Sequence, residues 1–424
     1  MRRHSGPNVG ASLLANTRMN RSRPPRLRPA IALALWTLLS ACTHPPAPLT
    51  HDAYIWQRQW TPSLRESVAS SSDLVRDWRV LVAQADNDGG FHVFTPDRAA
   101  LAATGRPVVF VVRIDGRLSR FDEASLVSRV VTLVRETTAT AAGVEIDYDC
   151  PTARLPAYAS FLRHLKGELG GVPLSITALP TWIGSPDLDT VLAVPDESVL
   201  QVHAVQAPQA GLFDPDVAIG WIADFARHTH KPFRVALPTY GSRVSWNADG
   251  TLLAVESEQG ARAAGAVASE LYASPVAVRG VVDRLARGRP AGLVGVAWFR
   301  LPTPEDTRAW SLATWRGVVT GKLDAPALRA TLRPGTGDAA ADVLIDNPGG
   351  IDAVAPVAVR LPHGCDVADG VDGYVVRRTD DGLELVSRQA RPLPAHVQRP
   401  IGWARCPAGS PVTLSIRAEG APLS

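Results

Sequence analysis

Several things are missing from this chain of 424 residues, and each absence closes a class of function. No strand is followed by a glycine-rich phosphate turn, which argues against an open nucleotide-binding sheet. Neither the spacing of a calcium-binding loop nor a zinc ligand set occurs, so no metal or other cofactor is expected. The formal net charge of +3 includes an arginine-rich N-terminal segment, and the rest of the chain is closer to neutral. No basic stripe remains outside it, so nucleic acid is not an expected partner. The longest N-terminal apolar run, Ala30 to Leu39, is too short to span a bilayer.

Cysteine is also scarce, with 4 in the chain. Cys42 closes Leu38-Leu39-Ser40-Ala41-Cys42, directly after that apolar run and its preceding arginines. The arrangement suits a signal peptide over residues 1–42 and resembles the bacterial lipobox, in which cleavage leaves the Cys as a lipidated N-terminus. The leader is long when counted from Met1, and a start at Met19 gives it ordinary length. Residues 43–52, with Pro45, Pro46 and Pro48, read as a stiff tether. Thr43 follows the Cys where an Asp would, by the same resemblance, hold the protein in the inner membrane. The expected location is therefore the cell envelope, lipid-anchored in the outer membrane and facing the periplasm. Cys365 and Cys406 can pair in such an oxidising compartment, or stand as two separate buried thiols. Cys150 has no His or Asn at a nucleophile's spacing and reads as packing.

Short apolar runs alternate with helical stripes from Tyr54 to about Trp315. Strands are expected at Tyr54–Gln57, Trp78–Gln84, Val108–Arg113, Val144–Asp149, Leu174–Leu179, Val199–Gln206, Phe233–Leu237 and Leu293–Phe299. Most are continuously apolar, as parallel strands buried on both faces should be. Asp122 and Asp214-Pro215 open helices, Thr303-Pro304 is expected to open the last, and the segment after the first strand carries only a weak helical pattern. Eight strands alternating with helices predict an α/β fold, a (β/α)8 TIM barrel over residues 53–320. From about Leu323 the helical stripes stop, and strand-like pieces separated by Pro, Gly, Asn and Asp predict a small all-β sandwich-like domain over residues 323–424.

The chemistry concentrates in Gly143-Val144-Glu145-Ile146-Asp147-Tyr148-Asp149-Cys150-Pro151. Side chains alternate across a strand, so Glu145, Asp147 and Asp149 share one face. Like charges held that close raise the pKa of at least one, which is what general acid catalysis on a glycosidic bond needs. Elsewhere, His203 falls inward on strand six with Gln201 and Val205, either as a hydrogen-bonded core residue or as a substrate contact. Arg113 and Asp115 close strand three as an ion pair or rim contact. Gln84, Asp86 and Asp88 read as a solvated loop. Tyr240, Trp182, Trp246 and Trp298 are possible sugar-stacking surfaces, with Trp298 placed on the barrel interior.

The acidic strand resembles the signature strand of glycoside hydrolase family 18, the chitinase-like barrels, which reads Asp-Gly-x-Asp-x-Asp-x-Glu. Gly143, Asp147 and Pro151 match; Ala142 and Glu145 stand at the first two Asp positions, and Asp149 stands where the acid Glu would be. Leu237-Pro238-Thr239-Tyr240-Gly241 resembles that family's seventh strand. Trp298 resembles the Trp that floors its sugar site, one residue short in its spacing from Gly295. Val205-Gln206 replaces a Tyr-Asp pair on the sixth strand. The signal, barrel and β tail together also resemble an uncharacterised bacterial lipoprotein family of unknown function.

The resemblance implies substrate-assisted, retaining hydrolysis of an amino-sugar polymer, a glycan substrate of the envelope. Asp149 would be the acid, Asp147 the stabiliser of the cyclic intermediate and Glu145 the charge that raises its neighbour's pKa. Tyr240, Trp298, Gln206 and His203 would contact the sugar. The alternative is a catalytically inactive barrel that binds glycan or protein.

Overall fold

The computed structural model describes residues 48–418, apart from 119–120, 138–140, 204–210, 248, 250, 257–266, 325–326, 336–339, 354–356 and 388–391. Cys42, Met19 and Gln206 lie outside the described residues.

Eight strands form a closed parallel barrel: β1 (Thr50–Ile55), β2 (Trp78–Ala85), β3 (Val108–Ile114), β4 (Gly143–Tyr148), β5 (Leu174–Ala178), β6 (Glu197–Gln201), β7 (Phe233–Pro238) and β8 (Leu293–Phe299). Neighbours in the ring are consecutive in the chain, and β8 closes onto β1 through pairs from Thr50 with Gly295 to Ala53 with Trp298. Each strand is followed by a helix: α1 (Pro62–Ser71), α2 (Arg98–Ala103), α3 (Glu123–Thr137), α4 (Leu155–Glu168), α5 (Leu188–Leu192), α6 (Pro215–Phe225), α7 (Pro275–Arg287) and α8 (Leu312–Thr320). The TIM barrel predicted from the alternation of patterns is the fold observed.

Local chemistry sets the helix starts. Asp214 accepts hydrogen bonds from the backbone N–H groups of Asp216 and Val217 at 2.9 and 3.1 Å, and Pro215 occupies the first turn, where its missing N–H costs nothing. Thr61 and Pro62 do the same for α1, so the weak pattern after β1 still gives a ten-residue helix. The last helix differs from expectation. It begins at Leu312 behind Ser311, whose hydroxyl accepts from Thr314 N at 3.2 Å; Thr303-Pro304 belongs to the loop after β8. The first strand also starts earlier than expected, at Thr50, within the segment read as tether.

An insertion between β7 and α7 was not foreseen. Gly241–Trp246 pairs antiparallel with both Leu252–Glu256 and Val267–Tyr272, giving a three-stranded sheet at the C-terminal end of the barrel strands. Gly241 is required at its root, because a Cβ there would lie 2.5 Å from the Tyr272 ring and 2.6 Å from Leu271 O.

The C-terminal domain is antiparallel throughout its described residues. Its strands are β9 (Arg329–Arg333), β10 (Ala341–Asp346), β11 (Val357–Arg360), β12 (Val367–Gly370), β13 (Tyr374–Thr379), β14 (Gly382–Ser387), β15 (Gln398–Arg405) and β16 (Thr413–Ala418), ordered β12-β15-β10-β9-β16-β11-β14-β13. Strand β16 passes between two layers, pairing β9 at Thr413–Leu414 and β11 from Ser415 onward. A separate core that includes Leu332, Val343, Val359, Leu385 and Ile401 fills the space between them. Cys365 and Cys406 are joined by a disulfide with a Cα–Cα distance of 4.0 Å. The buried Asp352 ties this domain to the barrel: its carboxylate accepts from Ser311 N and Oγ at 2.7 Å each, and from Ala395 N at 2.9 Å. An anion at the α8 N-terminus is also favoured by the helix dipole.

Candidate active site

Two layers of polar side chains fill the barrel interior, and β4 contributes to both. The lower layer comes from the strand starts. Arg79 on β2 donates to Asp52 on β1 at 3.0–3.1 Å, and it also pairs with Glu145 on β4 and Glu197 on β6. Arg234 on β7 reaches Asp52 and Glu197 at 3.0 Å each and donates to Thr50 Oγ1 at 2.7 Å. Tyr54 donates to Glu145 at 2.7 Å, and Ser175 on β5 donates to it at 3.2 Å. Burial raises the Glu145 pKa, an effect that Arg79 and the Tyr54 hydrogen bond oppose. Gly295 makes room for this layer: a Cβ there would sit 2.2 Å from the Arg234 guanidinium.

Glu145 is completely buried in that network. Three polar partners fix it one layer below the mouth, where it was expected to act as the charge on its neighbour. Its charge still acts on Asp147, as one of the influences that raise that neighbour's pKa.

The upper layer opens at the C-terminal ends of the strands, where barrel active sites form. Asp147, buried at 5% exposure, is held by Thr177 Oγ1 on β5 at 2.8 Å and Gln201 Nε2 on β6 at 3.0 Å, both donating to the same oxygen. Burial raises its pKa, while Arg113 and the two hydrogen bonds lower it. Asp149, just past the end of β4, keeps 44% of its side chain exposed and lies 3.5 Å from the Arg113 guanidinium. Burial of its carboxyl and the Asp147 charge push its pKa up to about 6, against the pull of Arg113. The loop after β3 presses on this position: a Cβ on Gly116 would lie 2.2 Å from Asp149 O. The resulting pair is a fixed, buried carboxylate beside a partly exposed one that takes up its proton as the pH falls through about 6.

An aromatic cluster stands beside the pair. Phe299 at the end of β8 stacks on His203 at 5.2 Å and meets Tyr54, Trp56 and Tyr240 edge-on at 4.9–5.7 Å. His203 Nδ1 and the Tyr240 hydroxyl lie 3.1 Å apart. Burial lowers the His203 pKa to about 4, so the ring is neutral at pH 7, and it raises Tyr240 to about 12. Tyr240 also feels the Asp149 charge, which places it on the same side of the mouth.

Trp298 does not join this cluster. Its indole is fully buried on the outer face of β8, stacked on His51 at 5.8 Å and edge-on to Trp315 of α8 at 6.5 Å. Gly295 and Ala297 face inward, so parity turns Trp298 out and Phe299 in. The one-residue-short spacing from Gly295 was the sequence signal for this. Trp182 is likewise buried under α4, with its Nε1 donating to Cys150 O at 2.8 Å. The carboxylate partners Thr177 and Gln201, and the aromatic residues Trp56 and Phe299, were not selected from the sequence, although Gln201 lay on the inward parity. Among the described residues, no group of His, Cys, Asp or Glu is arranged to hold a metal ion.

Residues 104–304 match a family model described as Domain of unknown function (DUF3142), and residues 330–407 match one described as Domain of unknown function (DUF8456). No curated protein matches the chain. Among solved structures, the spore cortex-lytic enzyme SleL of Bacillus cereus is 12% identical with a TM-score of 0.46, over 65% of this chain and 74% of its own. A chitinase of Chromobacterium violaceum has the same identity, TM-score and coverage of this chain, over 98% of its own. A chitinase of Bacillus thuringiensis is 9% identical with a TM-score of 0.44, over 87% of this chain and all of its own.

Proposed function

We propose that the barrel hydrolyses an amino-sugar polymer of the bacterial envelope with retention of configuration. One observation carries the reading: Asp149, partly exposed and titrating at about 6, follows two residues after Asp147, which is buried and fixed by Thr177 and Gln201. Protonated Asp149 gives its proton to the glycosidic oxygen as the bond to the anomeric carbon breaks. The substrate's own 2-acetamido oxygen closes on that carbon, and ionised Asp147 stabilises the positive charge on the cyclic intermediate. Water activated by Asp149, now a carboxylate, opens the ring and restores the starting configuration. The pair titrates as a unit and holds one proton between its two carboxyls in the active form.

Cys42 carries the lipid in this reading, with the barrel and β domain facing the periplasm from the outer membrane. No helix among the described residues is long and apolar enough to cross a membrane.

A second reading, glycan binding without turnover, is favoured by Asp149 itself. An Asp is shorter than a Glu by roughly 1.5 Å of chain, and a misplacement of about 1 Å costs on the order of a hundredfold in rate. Incubating the full chain in detergent with peptidoglycan, chitin and exopolysaccharide fragments separates the two. Turnover that vanishes in Asp149→Asn supports hydrolysis. Binding without turnover in the native chain, unchanged in Asp149→Asn, supports the second reading and removes the first.

A further inference from the structure

A general acid is helped by neighbours that hold its proton on, and Arg113 does the opposite. Its guanidinium lies 3.5 Å from the Asp149 carboxylate and favours the ionised form. The contact is loose, longer than a hydrogen bond, and both side chains are partly exposed, at 31% and 44%. Such a pair exchanges readily for a better partner.

The position of Arg113 suits that exchange. It continues the inward parity of Val111 at the end of β3, so its head enters the mouth. It lies over the Trp56 indole, 5.6 Å from the ring centre, which presents the planar fork at the border of the aromatic cluster. A second guanidinium stands nearby. Arg58, in the loop after β1, donates to Gln84 Oε1 at 2.9 Å, and Gln84 is the register partner of Arg113 across β2 and β3. The negative groups around them are accounted for: Asp115 accepts from Arg117 N at 2.8 Å, Asp86 pairs with His92 at 3.0 Å, and Asp147 is tied to Thr177 and Gln201. Asp149 is the one whose contact with Arg113 a ligand would replace.

We infer that Arg113 is a specificity-determining residue that binds a carboxylate carried by the glycan, so that the substrate is an acidic amino-sugar polymer and not a neutral one. The inference deepens the hydrolase reading and rests on the same site. A substrate carboxylate takes the guanidinium fork in two parallel N–H···O bonds, and Asp149, released from its cation, keeps its proton for the glycosidic oxygen. Among the described residues, the other charged or titratable groups facing Asp149 are Asp147 on β4, Asp115 after β3 and Tyr240 after β7.

The test is equilibrium binding by calorimetry, which needs no turnover. The probes are oligosaccharides of N-acetylated sugars carrying either a lactyl ether carboxylate or a uronic acid, each beside its carboxyl-reduced counterpart, with a neutral N-acetylglucosamine oligomer as reference. At least one acidic probe should bind about tenfold or more tighter than its reduced form, and which one does so identifies the source of the charge. Arg113→Gln should erase that preference, and Arg113→Lys should keep part of it, with unfolding midpoints showing that both variants are folded. Equal binding of acidic and reduced probes, or a preference that survives Arg113→Gln, would overturn the inference. Acid-selective binding with no turnover leaves it standing and removes only hydrolysis. Turnover of the neutral oligomer without acid preference does the reverse.

Discussion

Glu145 on β4 and Asp149 just past its end stand four residues apart in one alternating row, yet their surroundings are opposite. Glu145, itself fully buried, meets Arg79, Tyr54 and Ser175 in a layer where Asp52, Glu145 and Glu197 each have a cation within reach. Asp149 stands at the mouth with one loose cation and a pKa of about 6. The difference is one of depth. Near the strand starts, neighbouring strands supply partners on all sides. Past the strand ends the ring of neighbouring strands is gone, and Asp149 keeps part of its side chain exposed. A row of in-register acids is therefore locked into the fold at one end and left accessible at the other.

The largest effect should come from breaking the lower layer. Arg79→Met leaves Asp52, Glu145 and Glu197 short of their shared cation, and should cost about 3–5 kcal/mol of stability in denaturant titration. A loss under 1 kcal/mol would mean that the layer is wet or rearranges. Removing the disulfide by Cys365→Ala with Cys406→Ala opens a loop with a sequence separation of 41 and should cost about 2–4 kcal/mol. That loss belongs to the β domain, so turnover by the barrel should persist below the new midpoint. At the mouth, Gly116→Ala pushes against Asp149 O and should lower turnover by up to about a hundredfold, with a loss of about 1–3 kcal/mol in stability from the backbone shift it forces. Turnover at the native level would show that the loop yields without moving the acid.

The smallest effect to be read is on pH. Asp149 acts in its protonated form, and its folded pKa is raised above the ordinary carboxylate value, so turnover should fall as pH rises through about 6. The acid limb comes from Asp147, which must be ionised. In Arg113→Gln the alkaline limb should move upward, because a cation that favoured the carboxylate is gone. A profile flat from pH 5 to 8 would detach Asp149 from the rate.

The same depth explains what could be read from the sequence. Period-two spacing showed that Glu145, Asp147 and Asp149 share a face, and the alternation of apolar runs with helix starts was enough for the barrel. It could not show which acids are paired, since Arg79, Arg234 and Glu197 lie on other strands, 66, 89 and 52 residues from Glu145 in the chain. A signal existed: each is a charge set at or beside the first position of a strand, followed by apolar residues such as Val80-Leu81, Val199-Leu200 and Val235-Ala236. Trp298 was misplaced by trusting residue type over parity, when Gly295 already fixed which neighbours face in. The three-stranded insertion after β7 left no trace in the helix–strand alternation, because Gly241–Trp246 is too polar to read as a buried strand.

The central claim is that the mouth acid does chemistry and the inner acid holds the fold. Glu145→Gln and Asp149→Asn, each measured for unfolding midpoint and for turnover of the envelope glycan fragments on the same preparation, test it together. Glu145→Gln should lower the midpoint, by about 1–3 kcal/mol in stability, and keep turnover within about tenfold of native while folded. Asp149→Asn should keep the midpoint and lose turnover by about a hundredfold or more. The reverse pattern, with turnover lost in Glu145→Gln at an unchanged midpoint and retained in Asp149→Asn, would contradict the account.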